Sequence, residues 1–122
     1  MLLNGAGRLV KKLDFRGTKI EYLDKVSAKE LFLIMAAAEQ LVNSKDNFKA
    51  KDLAPKGWDG TAYEPIMTAC KECVKEPDKV KQNAAKLFGV VIKQALIMSP
   101  LLFRQTSGEW EGATYKRESL DF

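Results

Sequence analysis

Apolar residues recur at helical spacing in three stretches of this chain and alternate with polar ones near both ends. The clearest helical signal begins after Ser27. Ser27 and Glu30 have the spacing of a capping box, and Val26 with Leu31 has that of a hydrophobic staple. LFLIMAAAEQLV follows, so apolar that only a narrow strip near Lys29, Glu30, Gln40 and Asn43 is left for water. The pattern predicts a helix over about residues 28–43, either central in the core or covered by another subunit.

A second helix is predicted over about residues 61–76, with Pro65 in the first turn, where a missing N–H costs little. Ile66, Ala69, Cys70, Cys73 and Val74 fall on its inner face, and Lys71, Glu72 and Lys75 on its outer one. Pro77-Asp78 ends it, and a third helix is predicted over about 79–98, stopping before Pro100. Ala84, Leu87, Phe88, Val91, Ala95 and Met98 form one stripe on this helix. Val90, Ile92, Leu96 and Ile97 then extend the apolar surface around most of the circumference. Two helices this apolar can bury one another and still leave surplus for a homodimer interface.

The ends alternate instead. LVKKLDFRGTKIEYL reads as a β-hairpin over about 9–24 with its turn at Arg16-Gly17. That register sets Asp14 against Lys19, Leu13 against Ile20 and Lys12 against Glu21, and puts Leu13, Phe15, Ile20 and Tyr22 on one face. LLFRQTSGEWEGATYKR reads as a second hairpin, about 101–117, turning at Ser107-Gly108 and pairing Arg104 with Glu111, after which ESLDF trails off. Between the helices, Asn43 to Asn47 is a polar loop, and a brief helical turn at Lys51-Asp52-Leu53-Ala54 ends at or before Pro55. The expected class is α+β and helix-dominated: three principal helices with a β-hairpin near each terminus, in a single domain spanning 1–122.

Composition supports one core. The chain has 122 residues, 46% of them hydrophobic and 30% charged, which is ordinary for a globular domain. The formal net charge of +4 favours contact with nucleic acid or acidic proteins without making the chain a polycation. Its basic excess lies toward the N-terminal segment and the middle helices, whereas the stretch from Pro100 is slightly acidic. The start, MLLNGAGRLVKK, lacks the long apolar run of a signal peptide. The most apolar window is interrupted by Lys86, Lys93, Gln94 and Pro100, so no membrane span is expected. With two cysteines there is no disulfide framework, and a cytoplasmic, reducing setting is the expectation.

The stretch FKAKDLAPKGWDGTAYEPIMTACKECV, a short helical turn, a glycine-bearing turn and an amphipathic helix, resembles in outline a helix-turn-helix. With a strand-turn-strand after the helical unit, the whole resembles a winged-helix arrangement. The resemblance implies that the helix after Gly60 would enter the major groove. Thr61, Tyr63 and Thr68 would then approach bases, while Lys49, Lys51, Lys56, Lys71 and Lys75 would hold phosphates. Three features weigh toward an ordinary helical pair. Pro55 interrupts the first helix of the motif, the second contains no arginine or asparagine to read base edges, and the wing carries Glu109 and Glu111.

Other chemistry finds little footing. Cys70-Lys-Glu-Cys73 lacks the further thiolates or imidazoles that zinc requires, since the chain has no histidine and no second cysteine pair. Cys70 lies inside a helix on its apolar face, where no dipole lowers a thiol pKa, so both cysteines read as core. The absence of histidine removes the commonest general base, and Ser99 and Ser107 have no evident base partner. NGAGR is too short for a phosphate loop. Asp52 with Asp59 reads as helix capping, and Glu109 with Glu111 as the solvent side of a strand whose Trp110 points inward.

A non-catalytic binding protein with no cofactor or metal is therefore expected. Its first reading is a winged-helix-like DNA-binding regulator acting by occupancy. The alternative is a protein-interaction module, an inhibitor, adaptor or assembly subunit. It would engage a larger complex through Lys11, Lys12 and Arg16 of the N-terminal hairpin and through Trp58, which either folds onto the core or is offered to a partner.

Overall fold

One helix organises the molecule, and it is the third. In the computed structural model, which describes residues 1–118, helix α3 (Val80–Met98) packs against both other helices, α1 (Ala28–Asn43) and α2 (Glu64–Cys73), and the chain also forms a five-stranded sheet. Leu87, Phe88, Val90, Val91, Ile92, Ala95 and Leu96 are all buried. α1 and α2 each pack against α3, and a short 3-10 helix at Trp110–Gly112 closes over it from the side of the sheet. The approach there is so tight that a Cβ on Gly89 would sit 2.3 Å from the Trp110 carbonyl carbon and 2.4 Å from the Glu111 nitrogen. Among the described residues no helix is long and apolar enough to cross a membrane.

The fold is mixed helix and sheet, as the patterning predicts. α1 begins as predicted. Ser27 Oγ accepts from the Glu30 N–H and the Glu30 carboxylate accepts from the Ser27 N–H, each at 3.1 Å. The turn before Pro55 forms as a 3-10 helix at Ala50–Leu53. α2 starts later and stops earlier than expected: the Tyr63 N–H is held by the Thr61 hydroxyl at 3.2 Å just before the first turn, and the backbone turns extended at Val74. Cys70 is fully buried and Cys73 half-buried, both as free thiols, and burial pushes the Cys70 pKa up to about 11.

The sheet runs in the order β2-β1-β4-β5-β3. β4 (Phe103–Ser107) and β5 (Thr114–Arg117) pair antiparallel, β3 (Asn47–Lys49) adds antiparallel to β5, and β1 (Leu2–Leu3) adds parallel to β4. β2 (Leu9–Val10) pairs with β1 as the outermost strand. Phe48, Phe103 and Tyr115 cluster on the inner face, with ring centroids 5.5–6.2 Å apart.

The C-terminal hairpin exists, but its connector is not a tight turn at Ser107-Gly108. A bulge between Gln105 and Ser107 and the intervening 3-10 helix shift the register. Arg104 consequently faces Lys116 and pairs with Glu118 rather than Glu111. Trp110 is buried as expected, yet within this 3-10 helix at φ +49 rather than on a strand. The Lys93 ammonium lies 5.2 Å from its ring centroid and 3.2 Å from Glu109. From residue 119 the predicted tail lies outside the described residues.

The hairpin predicted over 9–24 does not form. Only Leu9 and Val10 are extended, and they pair with Leu2 and Leu3. Asp14 accepts from the backbone N–H and the Nε of Arg16, and the Thr18 N–H and hydroxyl both donate to the Phe15 carbonyl. These local bonds, with Gly17 at φ +80, place a turn where one was expected but satisfy it internally. The second arm then winds into a 3-10 helix, Ile20–Lys25, whose i and i+3 side chains Ile20 and Leu23 line one apolar groove. An isolated two-stranded ribbon is marginal in water, and packing this segment against the core wins.

α1 is not central either. Ile34, Ala38 and Val42 are buried, but Leu31, Phe32 and Leu33 face outward, with Phe32 71% and Leu33 50% exposed. The strip open to water is therefore far broader than the four polar positions predicted, and half of it is apolar.

Candidate functional site

Of the residues singled out from sequence, the fold gathers Lys56, Trp58 and Lys71 around one cleft of about 530 Å³. Its lining is completed by Gly57, Asp59, Met67, Pro77, Val80 and Lys81. The cleft follows from local chemistry on both sides. α2 ends at Cys73, a 3-10 helix at Pro77–Lys79 leads into α3, and the Lys56–Gly60 turn supplies the facing wall. The turn is held by the Thr61 N–H and hydroxyl, which donate to the Trp58 carbonyl at 3.2 and 2.8 Å. Gly60 adopts φ +78, a region that favours glycine, and its N–H donates to Glu64 Oε2 at 2.9 Å.

Trp58 is half-buried and packs edge-on against Phe88, ring centroids 6.2 Å apart. Tyr63 meets the same Phe88 ring edge-on at 5.0 Å. Phe88 thus anchors the Trp58 turn and the start of α2 to the central helix. Trp58 folds back onto the core while still forming part of the cleft wall. Lys56, Lys71 and Lys81 are exposed, and no ion pair involves any of them among the described residues. Three free ammonium groups against the single carboxylate of Asp59 make the rim electropositive.

The remaining candidates are dispersed. Thr61 and Thr68 line a different groove, between α1 and α2, with Glu30, Glu64 and Glu72 against Lys25 alone. A phosphate would be repelled there, and the Thr61 hydroxyl is already occupied with the Trp58 carbonyl and the Tyr63 N–H. Tyr63 is buried, and burial raises its hydroxyl pKa, so it offers no surface to a base. Lys49 lies on β3 and Lys51 on the following 3-10 helix, apart from the cleft. Lys75 lines a shallow depression with Lys19 and Lys79. Lys11 and Lys12 are exposed but belong to no hairpin, and Arg16 is bound to Asp14 at 2.5 Å.

Lys81, Met67 and Val80 were missed from sequence. Residues 58, 67, 71 and 81 meet only because α2 and α3 pack side by side. No spacing within either helix announces that meeting. Comparisons with protein-family models, with curated proteins and with solved structures gave no match.

Proposed function

We propose that this chain is a non-catalytic nucleic-acid-binding protein that acts by occupancy, holding a strand or blocking access to it. The observation that carries the reading is the convergence on one hollow walled by Trp58 of Lys56, Lys71 and Lys81, three lysines that form no ion pair among the described residues. Unpaired lysines beside an aromatic wall suit a phosphate backbone and its bases. The helices followed by an antiparallel strand pair, β4 and β5, are in keeping with a winged-helix-like order of elements, although their connector packs on α3 rather than forming a free wing. Contact would be led by the Trp58 cleft rather than by groove reading from α2, whose outer face mixes Thr68, Lys71 and Glu72.

The test is an anisotropy titration with random-sequence nucleic acid, duplex and single-stranded, at low salt. Binding at micromolar protein with a steep salt dependence is expected. Replacing Lys56, Lys71 and Lys81 together by Glu should lower the slope of log affinity against log salt by about 2–3. Failure of both nucleic-acid forms to bind at micromolar protein would sink the reading.

A second reading, a protein-interaction module, is favoured by one observation, the outward apolar face of α1. Phe32 and Leu33 are exposed on α1, and Leu31 of the same helix lines, with the exposed Phe15 and Met98, an apolar groove of about 310 Å³. This face replaces the basic N-terminal hairpin as the docking surface, and a homodimer is one form such an interface would take. Light scattering across a concentration series checks it: association lost on Phe32→Ser supports this reading, and a monomer at all concentrations removes the homodimer.

A further inference from the structure

We infer that the Trp58 cleft receives one unpaired base, with the flanking phosphates held by Lys56, Lys71 and Lys81, so that the preferred ligand is single-stranded. The inference rests on the nucleic-acid reading above and narrows it. A surface that grips only phosphates needs charge and little else. Here the charge surrounds an apolar hollow whose wall is Trp58, Met67, Pro77 and Val80. Such a wall has no role against a sugar-phosphate backbone, but it matches the flat, weakly hydrated face of a nucleobase. At about 530 Å³ the hollow has the capacity of a small-molecule site, ample for one nucleotide.

Base pairing decides between strand forms. In a duplex the base faces are covered by their stacked neighbours and only the edges reach the grooves, so nothing flat is available to enter. An unpaired base can be splayed out and laid against an aromatic side chain. The lining also contains no arginine, asparagine or glutamine to read a base edge. Binding through stacking and charge alone tolerates any sequence, with Asp59 the one residue opposing phosphate on the rim.

The experiment compares a labelled strand of about twelve nucleotides with its own duplex, at low salt. The single strand should bind about tenfold tighter than the duplex. Trp58→Ala should weaken single-strand binding about tenfold, and so bring it close to the duplex affinity. Trp58→Phe, which keeps a ring against Phe88, should retain most of the affinity. In a Trp110→Phe background the remaining tryptophan reports on the cleft directly, and its fluorescence should be quenched as the strand binds. Equal or tighter duplex binding, unmoved by Trp58→Ala and without quenching, overturns the inference and leaves the broader reading standing. Absence of binding by both forms overturns the two together. If Trp58→Ala fails to fold, by circular dichroism, the quenching titration decides.

Discussion

α1 and α3 are the two most apolar helices in the chain, and the fold treats them in opposite ways. α3 is enclosed by α1, by α2 and by the Trp110–Gly112 connector, so that hydrophobic residues around most of its circumference are buried. α1 is covered along one stripe, Ile34, Ala38 and Val42, and offers Leu31, Phe32 and Leu33 to solvent. Apolar content alone does not select the central helix. Both helices mix alanines with large apolar side chains, and what distinguishes α3 is Gly89, which lets the connector backbone approach to a distance no side chain would allow.

The comparison can be broken first at its centre. Phe88→Ala should cost about 4 kcal/mol of unfolding free energy by urea denaturation, because it empties a fully buried site and removes the ring on which both Trp58 and Tyr63 rest. Near-native stability in this variant would show that the hub is dispensable. Gly89→Ala should follow at about 3 kcal/mol, since the added Cβ meets backbone atoms that cannot swing aside.

The packing of α2 on α3 is probed by pH. An unfolded thiol titrates near 9.0, while burial, with a smaller contribution from Cys73, holds Cys70 protonated until about 11. The unfolded state therefore loses its proton first as the solution becomes alkaline. The stabilisation is complete below about pH 9 and is lost as pH rises through 11. The urea midpoint should fall across that window, less steeply in Cys70→Ala. Buried Tyr63 and Tyr115, whose pKa values are also raised, add to the loss at higher pH.

The smallest effect belongs to the open side of α1. Phe32→Ser should change unfolding free energy by no more than about 0.5 kcal/mol, against the large cost of losing Phe88, although both are phenylalanines in strongly apolar helices. A loss comparable to that of Phe88→Ala would mean that Phe32 is covered in solution.

Local rules were legible wherever a residue acts on its near neighbours. The Ser27–Glu30 box, the stop before Pro55 and the inward Ile66, Ala69 and Cys70 of α2 follow from near-neighbour rules. The end of α2 does not: the helix stops at Cys73, and Pro77 opens a 3-10 helix that leads into α3. The N-terminal ribbon does not form because its cross-strand charge pairs compete with local bonds. Asp14 had a nearer partner in Arg16, and Ile20 with Leu23 had a better use on the core. Of the site, the lysine-rich turn bearing Trp58 was visible. The acidic surroundings of Thr61 and Thr68, the burial of Tyr63 and the contribution of Lys81 were not.

By itself the sequence determined the three helices, the cap of α1 and a sheet-forming C-terminal segment, because each depends on hydrogen bonds and periodicities that close within a few residues. Only the tertiary structure decided which apolar helix lies at the centre and which elements meet around Trp58. Those outcomes depend on the relative orientation of surfaces far apart along the chain, where burial rewards any apolar partner and close fit, as at Gly89, selects one.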